Sequence, residues 1–362
     1  MEEKWFSIWN TELTDYSKAG MYAENVIQSM TINNTKFFNK IKIRLNNING
    51  QNEAIYKNIV LQLENGKKYL MTFNGHQEIR VSPGKTQYTD ELCVKEYSGP
   101  ITLTYKVSKN VIGNIALLPS TTYLHIKNEG RIDTLIPAYR DMVSSIPCEY
   151  NWHFGIDDIS LCLSGSDEVK KILFMGDSNF HREYLVNAYR EMNPYSICVN
   201  RGINGNRLLN GTIIRGIGEM NGKSAVKRMK TETGSYDKVF ILIGINDIML
   251  PYEYGILNEV VSAEDIIEGL KILKKEGERI CGGEVVFLTL LPFKGHPVWN
   301  GLSESTRIRV NEWISRQNHI DTARIVADSD DLSKLCRDYS EEDSLHLNAT
   351  GGYMVAKEMS RL

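Results

Sequence analysis

The chain has 362 residues, with 42 Lys and Arg against 45 Asp and Glu, a formal net charge of −3 and 42% hydrophobic residues. So small a charge excludes a partner held mainly by electrostatics, and neither nucleic acid nor an anionic membrane surface is expected. No stretch approaches the ~20 apolar residues of a membrane helix, so no membrane insertion is expected, and the start Met1-Glu2-Glu3-Lys4-Trp5 has no charged-then-apolar leader, which predicts a cytoplasmic location.

The length suggests two domains of roughly 150 residues each. Residues 1–165 read as an all-β domain. Lys40–Leu45 and Ile101–Val107 alternate polar and apolar residues, the period of a half-buried strand, and Ile59–Leu63 and Tyr69–Phe73 are further candidates. Asn49-Gly50, Asn65-Gly66, Asn74-Gly75 and Pro83-Gly84 punctuate them as turns. Short strands at such spacing predict an antiparallel sandwich. The plain reading is a structural or specificity domain. The sharper one is a carbohydrate-binding face using Trp5, Trp9, Tyr16, Tyr22 and Trp152 as stacking rings. Six cysteines, Cys93, Cys148, Cys162, Cys198, Cys281 and Cys336, are scattered without a Cys-x-x-Cys pair, which predicts reduced thiols rather than a disulfide or zinc framework.

In 166–362 the rhythm changes to strand and helix in alternation. Strands are expected at Ile172–Met175, Ser196–Asn200, Lys238–Ile243, Glu284–Leu290 and Arg324–Ala327. Helices are expected at Arg182–Met192, Ala263–Ile280, Ser303–Arg316 and Ala349–Ser360, and Lys223, Lys227, Arg228 and Lys230 read as a solvated helix face. This alternation predicts an α/β domain with a parallel sheet covered on both faces, and ligand sites in such sheets lie beyond the carboxyl ends of the strands.

Four polar turns fall at that edge: Gly176-Asp177-Ser178, Asn200-Arg201-Gly202-Ile203-Asn204-Gly205-Asn206, Gly244-Ile245-Asn246-Asp247, and Asp343-Ser344-Leu345-His346. Any one of them could simply cap a helix. Together they hold the parts of a hydrolytic site. A serine hydroxyl needs a base to remove its proton, and a histidine base needs an acid to hold its tautomer. Asp343 and His346 are three residues apart, so one tight turn can bring both to Ser178. A tetrahedral intermediate needs donors aimed at its oxyanion, and the N–H groups of Ser178 and Gly205 with the Asn246 amide can supply three.

These four blocks, in this order over about residues 170–360, resemble the SGNH hydrolases, also called GDSL-type esterases and lipases. The resemblance implies a three-layer α/β/α, flavodoxin-like fold without metal or other cofactor. It makes Ser178 the nucleophile, His346 the base, Asp343 its orienting acid, and Ser178, Gly205 and Asn246 the oxyanion donors. Trp5-Phe6-Ser7-Ile8-Trp9, the strand-rich stretch after it, and Leu290-Leu291-Pro292-Phe293 leading to Arg307 and Trp313 resemble a bacterial subgroup with a jelly-roll-like β-sandwich ahead of the hydrolase domain. The chain departs from the family after the serine, where Asn179-Phe180-His181-Arg182 replaces the usual Ile or Leu and then Thr, and at Asn204, where a small residue is usual.

Those departures leave acyl size and acceptor open. Asn179, His181 and Trp299 are the candidate substrate-binding residues. His181 could equally be a helix-surface histidine, and Trp299 a packing aromatic. The leading expectation is a serine ester hydrolase that removes acetate from a carbohydrate, with a small ester or acetylated glycan as its partner. The alternatives are a lysophospholipase or other acyl-lipid esterase, and a binding protein with an idle site. There is no Gly-x-Ser-x-Gly elbow and no His-Glu-x-x-His metal spacing. Oligomeric state is not encoded in any of these motifs.

Overall fold

The structure, a computed structural model, describes residues 3–144, 150–163, 169–213 and 218–362. It divides into two compact units, Met1–Glu168 with Gly216–Met220, and Val169–Arg215 with Asn221–Leu362. The expected boundary at 165/166, like Cys148, lies outside the described residues.

The first unit is built of antiparallel sheets, as a β-sandwich requires. One joins Trp5–Asn10, Ile156–Leu163, Phe38–Asn47 and Lys85–Tyr88, with Leu92–Tyr97 on Phe38–Asn47. A second joins Leu124–Thr134, Met21–Ile32, Ile101–Val111, Ala54–Leu63 and Lys68–Leu70, with Glu78–Val81 paired to Ala54–Leu63. Alternation fixes which side chains go inward: in Phe38–Asn47, Ile41, Ile43 and Leu45 are buried while the residues between them are less so. The aromatic residues considered for stacking on a ligand fall largely in the core. Trp9, Tyr16 and Trp152 are buried, Trp9 edge-on to His153 at 5.3 Å and Tyr16 edge-on to Trp152 at 6.0 Å. Trp5 lies nearer the surface, with Lys42 Nζ 4.2 Å from its ring centroid. Rings already packed in the interior are not available as a stacking face, so this part of the sharper reading is corrected.

The second unit is an α/β/α sandwich. Its strands are β1 (Lys170–Gly176), β2 (Ser196–Gly202), β3 (Tyr236–Leu242), β4 (Cys281–Leu288) and β5 (His319–Ile320). All pair in parallel, in the spatial order β2-β1-β3-β4-β5. Its helices are α1 (Ser178–His181), α2 (Tyr184–Met192), α3 (Ala225–Thr231), α4 (Ile245–Glu253), α5 (Ala263–Ile280), α6 (Gly301–Ile314), α7 (Thr322–Val326) and α8 (Ala349–Met359). The near-continuous apolar runs of β1 and β3 follow from burial on both faces. Leu173, Met175, Val239 and Ile241 pack with Ile266, Leu270 and Leu273 of α5 and Val310 of α6. The alternate residues Ile172, Phe174, Phe240 and Leu242 pack with Leu185 and Tyr189 of α2 and Val355 of α8. Helix α5 starts with a reciprocal capping box between Ser262 and Asp265.

Two expected elements differ. The helix predicted from Arg182 is broken, because Glu183 adopts φ +66 between α1 and α2. Its carboxylate is buried and holds Arg190 at 2.9 Å and the Asn200 side chain at 2.9 Å, partners that sustain the left-handed conformation. The strand predicted at Arg324–Ala327 is instead the short helix α7, capped by Asp321, whose side chain accepts the Arg324 N–H at 3.2 Å, and the fifth strand is His319–Ile320.

The strand order places the topological switch point between β1 and β3, the place beyond the carboxyl ends where ligands bind in such sheets. Register confirms the level of the loops there: Gly176 pairs with Gly202 on one side and Leu242 on the other.

Candidate active site

At the end of β1, Gly176 lies so close to β3 that a Cβ on it would sit 2.4 Å from the Leu242 carbonyl oxygen. Asp177 then caps α1 by accepting the Asn179 N–H at 3.2 Å. Ser178 is the first residue of α1 and is 3% exposed.

The acid and base arrive on one loop. Ser340 and Leu347 bridge its base, and the Glu341 N–H donates to the His346 carbonyl at 2.8 Å. Within it Ser344 takes φ +56, which turns the chain tightly enough for Asp343 to reach His346 twice. One carboxylate oxygen accepts the N–H groups of Leu345 and His346, each at 3.0 Å, and the other lies 2.5 Å from His346 Nδ1. That contact puts the ring proton on Nδ1, so Nε2 is the acceptor for the Ser178 hydroxyl 2.8 Å away. Asn179 ties the two pieces together, its amide oxygen accepting the Leu347 N–H at 3.2 Å.

The charge states follow from the surroundings. Burial pushes the His346 imidazole down to about 4; the Asp343 hydrogen bond opposes this, and the Arg182 charge reinforces it. Burial would raise the Asp343 carboxyl, but the hydrogen bonds from His346 and the loop amides outweigh it and hold the group well below the usual carboxylate range. At neutral pH the pair is therefore an ionised carboxylate and a neutral imidazole, the state a general base requires.

Gly205 sits after β2 at φ +67, and a Cβ there would lie 2.3 Å from Asn221 Nδ2. Any side chain would both strain the turn and displace Asn221, which donates to the Asn204 carbonyl at 3.0 Å. Asn246 is buried at the start of α4 and donates one Nδ2 hydrogen to the Asn206 carbonyl at 2.9 Å, leaving the second. The N–H groups of Ser178 and Gly205 meet no acceptor among the described residues. These are the three donors the sequence set together, and each follows the carboxyl end of a strand of the same sheet: Ser178 after β1, Gly205 after β2 and Asn246 after β3.

The candidate substrate residues are placed less simply. His181 is buried and donates to the Gly202 carbonyl at 3.3 Å, so it is not a helix-surface histidine. Trp299 is half-buried against the α5–α6 core, with its indole N–H 3.4 Å from Glu304 and Lys294 Nζ 5.3 Å from its ring centroid. Its loop borders the acid–base loop: a Cβ on Gly295 would meet Ser344 Oγ at 2.9 Å.

Several residues that hold the site had been given no role. Asp247 accepts the N–H groups of Leu208 and Leu209 at 2.6 and 3.0 Å, and burial pushes its carboxyl up to about 6. The Asn206 amide reaches the Asn221 and Lys223 carbonyls at 2.6 and 2.8 Å. Arg228, expected on a solvated face, donates to Asn206 at 2.8 Å and to the Arg201 carbonyl. Asp247 and Asn206 lie inside the motif blocks, and a polar residue among buried apolar ones must find partners, which was the available signal. Asp177, also buried, is pushed up to about 7 by burial and by the nearby Asp247.

No described helix is long and apolar enough to cross a membrane, and no disulfide joins the described cysteines. The sequence model of the GDSL-like Lipase/Acylhydrolase family matches residues 172–359, more than half of the chain. Comparison with curated proteins finds no match. Similar solved structures include an aryl esterase of M. smegmatis, 13% identical over 53% of this chain and 97% of its own, with a TM-score of 0.40. A carbohydrate acetylesterase from Sinorhizobium meliloti is 11% identical over 53% of this chain and 97% of its own, with a TM-score of 0.40. An acetyl xylan esterase from Geobacillus stearothermophilus is 19% identical over 54% of this chain and 96% of its own, with a TM-score of 0.39.

Proposed function

This chain belongs to the GDSL-like lipase/acylhydrolase family of the SGNH hydrolases, and from that premise we propose that it is a serine ester hydrolase that removes a short acyl group, acetate, from a carbohydrate. The observation that carries the chemistry is the hydrogen-bonded series Asp343–His346–Ser178, with the imidazole neutral. Ser178 Oγ attacks the acyl carbon while His346 Nε2 takes its proton, and the Asp343 carboxylate stabilises the imidazolium that forms. The N–H groups of Ser178 and Gly205 and the second Asn246 hydrogen receive the oxyanion. Collapse expels the sugar hydroxyl with the proton from His346. Water, deprotonated by the same nitrogen, then cleaves the acyl-enzyme to acetate and free serine.

A short acyl group is favoured by the burial of Ser178, which leaves little room around the nucleophile. On the acceptor side, Asn204 is exposed on the oxyanion loop, and Trp299 stands on the loop that borders Ser344. A second reading, an acyl-lipid esterase, draws on a groove of about 470 Å³ whose apolar lining is formed by Ile248, Tyr252, Val260, Val261 and Leu302 and whose polar lining includes Glu264, Thr306 and Arg309; Ile248 is two residues after Asn246 on α4. The test is hydrolysis of p-nitrophenyl esters from acetate to palmitate, with acetate release from a panel of acetylated glycans. The proposal expects a maximum at acetate, release from at least one glycan, and loss of both in Ser178→Ala. A maximum at long chains would favour the lipid reading. Unchanged activity in Ser178→Ala, or no labelling of Ser178 by a fluorophosphonate, would remove the serine mechanism.

A further inference from the structure

Arg182 ends the short helix that begins with Ser178, and its guanidinium crosses to the acid–base loop. One terminal nitrogen pairs with Glu341, and the other lies 3.8 Å from Asp343 Oδ2, the oxygen that holds the His346 ring. The contact joins residues 159 apart in sequence. Its side chain is only 16% exposed and that of Glu341 22%, so the pair is largely shielded from water and screened little by salt. The backbone supports the same link from both ends. The left-handed turn at Glu183 stops the helix directly after Arg182, and Glu341 N–H donates to the His346 carbonyl, so Glu341 stands across the loop from the base. Glu341, Asp343 and His346 bring their ligand atoms within 4.8 Å of one another, and the Arg182 guanidinium lies against both carboxylates.

We infer that Arg182 is a positioning residue for the proposed ester hydrolysis: paired with Glu341, it clamps the acid–base loop to the nucleophile helix and keeps Asp343 aimed at His346. The planar fork suits this task, because it engages two carboxylates from one fixed plane where a lysine would offer a single point charge. The charged or titratable groups facing His346 are Asp343 and Glu341 on its own loop, Arg182 at the end of α1 and His296 on the neighbouring loop. Arg182 opposes a positive charge on the ring, and a negative charge on Glu341 would favour one.

This inference rests on the proposed mechanism, and its test separates the two. Arg182→Gln, Arg182→Lys and Glu341→Gln are compared with the wild type by kcat and KM on p-nitrophenyl acetate across pH, and by the His346 ring titration in ¹⁵N NMR. Loss of a charge-assisted hydrogen bond predicts a fall in kcat of about 10- to 100-fold for Arg182→Gln, with KM little changed. Its acid limb and ring titration should move to higher pH. Arg182→Lys should restore the limb but only part of kcat. Glu341→Gln should lower kcat and move the limb the other way. A loop that needed only packing would show none of these opposed shifts. The inference is overturned if Arg182→Gln leaves both kcat and the ring titration at wild-type values, or if the limb shifts share one sign. Should Arg182→Gln fail to fold, the lysine and Glu341 variants still decide it. If the wild type neither hydrolyses esters nor reacts with fluorophosphonate, the proposed function falls, and the ring titrations alone test the clamp.

Discussion

Each unit of this protein buries a histidine, and comparing them shows what burial alone does not confer. His153 of the β unit and His346 of the α/β unit are both pushed down to about 4, with loss of water as the first cause in each. Beyond that they differ in partners. His153 Nε2 donates to the Ile156 carbonyl at 2.5 Å, its other nitrogen has no partner, and Trp9 packs edge-on against the ring. Burial keeps this ring neutral, and because its one partner is a carbonyl, no hydroxyl faces the free nitrogen to be activated. His346 has its Nδ1 proton held by a carboxylate and its lone pair facing a hydroxyl. The same low basicity that merely keeps His153 uncharged leaves His346 free to accept a proton. A depressed histidine becomes a candidate base through the two atoms it faces.

Substitutions can break this contrast at several depths. The deepest is His346→Ala, expected to lower kcat by about 10⁴-fold to 10⁶-fold, because nucleophile and base act as one unit. His153→Ala should leave kcat/KM unchanged while lowering the thermal midpoint, and steady-state kinetics beside calorimetry would show both. An equal loss of activity from the two variants would sink the distinction. Next is Asn246→Ala, which removes one proposed oxyanion donor and is expected to cost about 10²- to 10³-fold in kcat, with KM changed far less.

The smallest effect is on stability against pH. For both rings the folded value lies below the ordinary 6.5. The unfolded chain therefore binds protons that the fold refuses, so stability is complete above pH 6.5 and declines as pH falls from 6.5 towards 4. Each ring can add at most about 1.4 kcal/mol per pH unit to that decline. Urea unfolding at pH 7 and pH 5 should show a shallower decline in His153→Gln than in wild type; an identical decline would mean that His153 is not held neutral.

Much of the second unit was legible because its chemistry is local. A buried strand running into Gly176-Asp177-Ser178 and an Asp343-to-His346 spacing that fits one turn are features of a few residues each. Apolar runs with helical or continuous period likewise mark β1, β3 and α5 without knowledge of their neighbours. What escaped depends on partners far along the chain. The left-handed Glu183 is intelligible only with Arg190 and Asn200 around it, and the Arg182–Glu341 pair only once the loops meet. Trp9, Tyr16 and Trp152 look like a stacking face in a list of aromatics, and only their burial in the folded unit shows that they point inward. His181 and Arg228 look solvated by type, yet each is spent on a backbone carbonyl.

The hydrogen bond between Ser178 and His346 joins positions 168 apart in sequence, and so does the one between Asn179 and Leu347. Closing so long a loop is slow and comes late, since the chain entropy must be lost before the contact is gained. During synthesis the nucleophile leaves the ribosome well before its base exists, so a nascent or truncated chain carries the serine without the means to activate it. Reaction of Ser178 with a fluorophosphonate should therefore report completed folding of the domain, and its onset in a refolding experiment should lag behind the burial of Phe174 and Phe240 in the sheet.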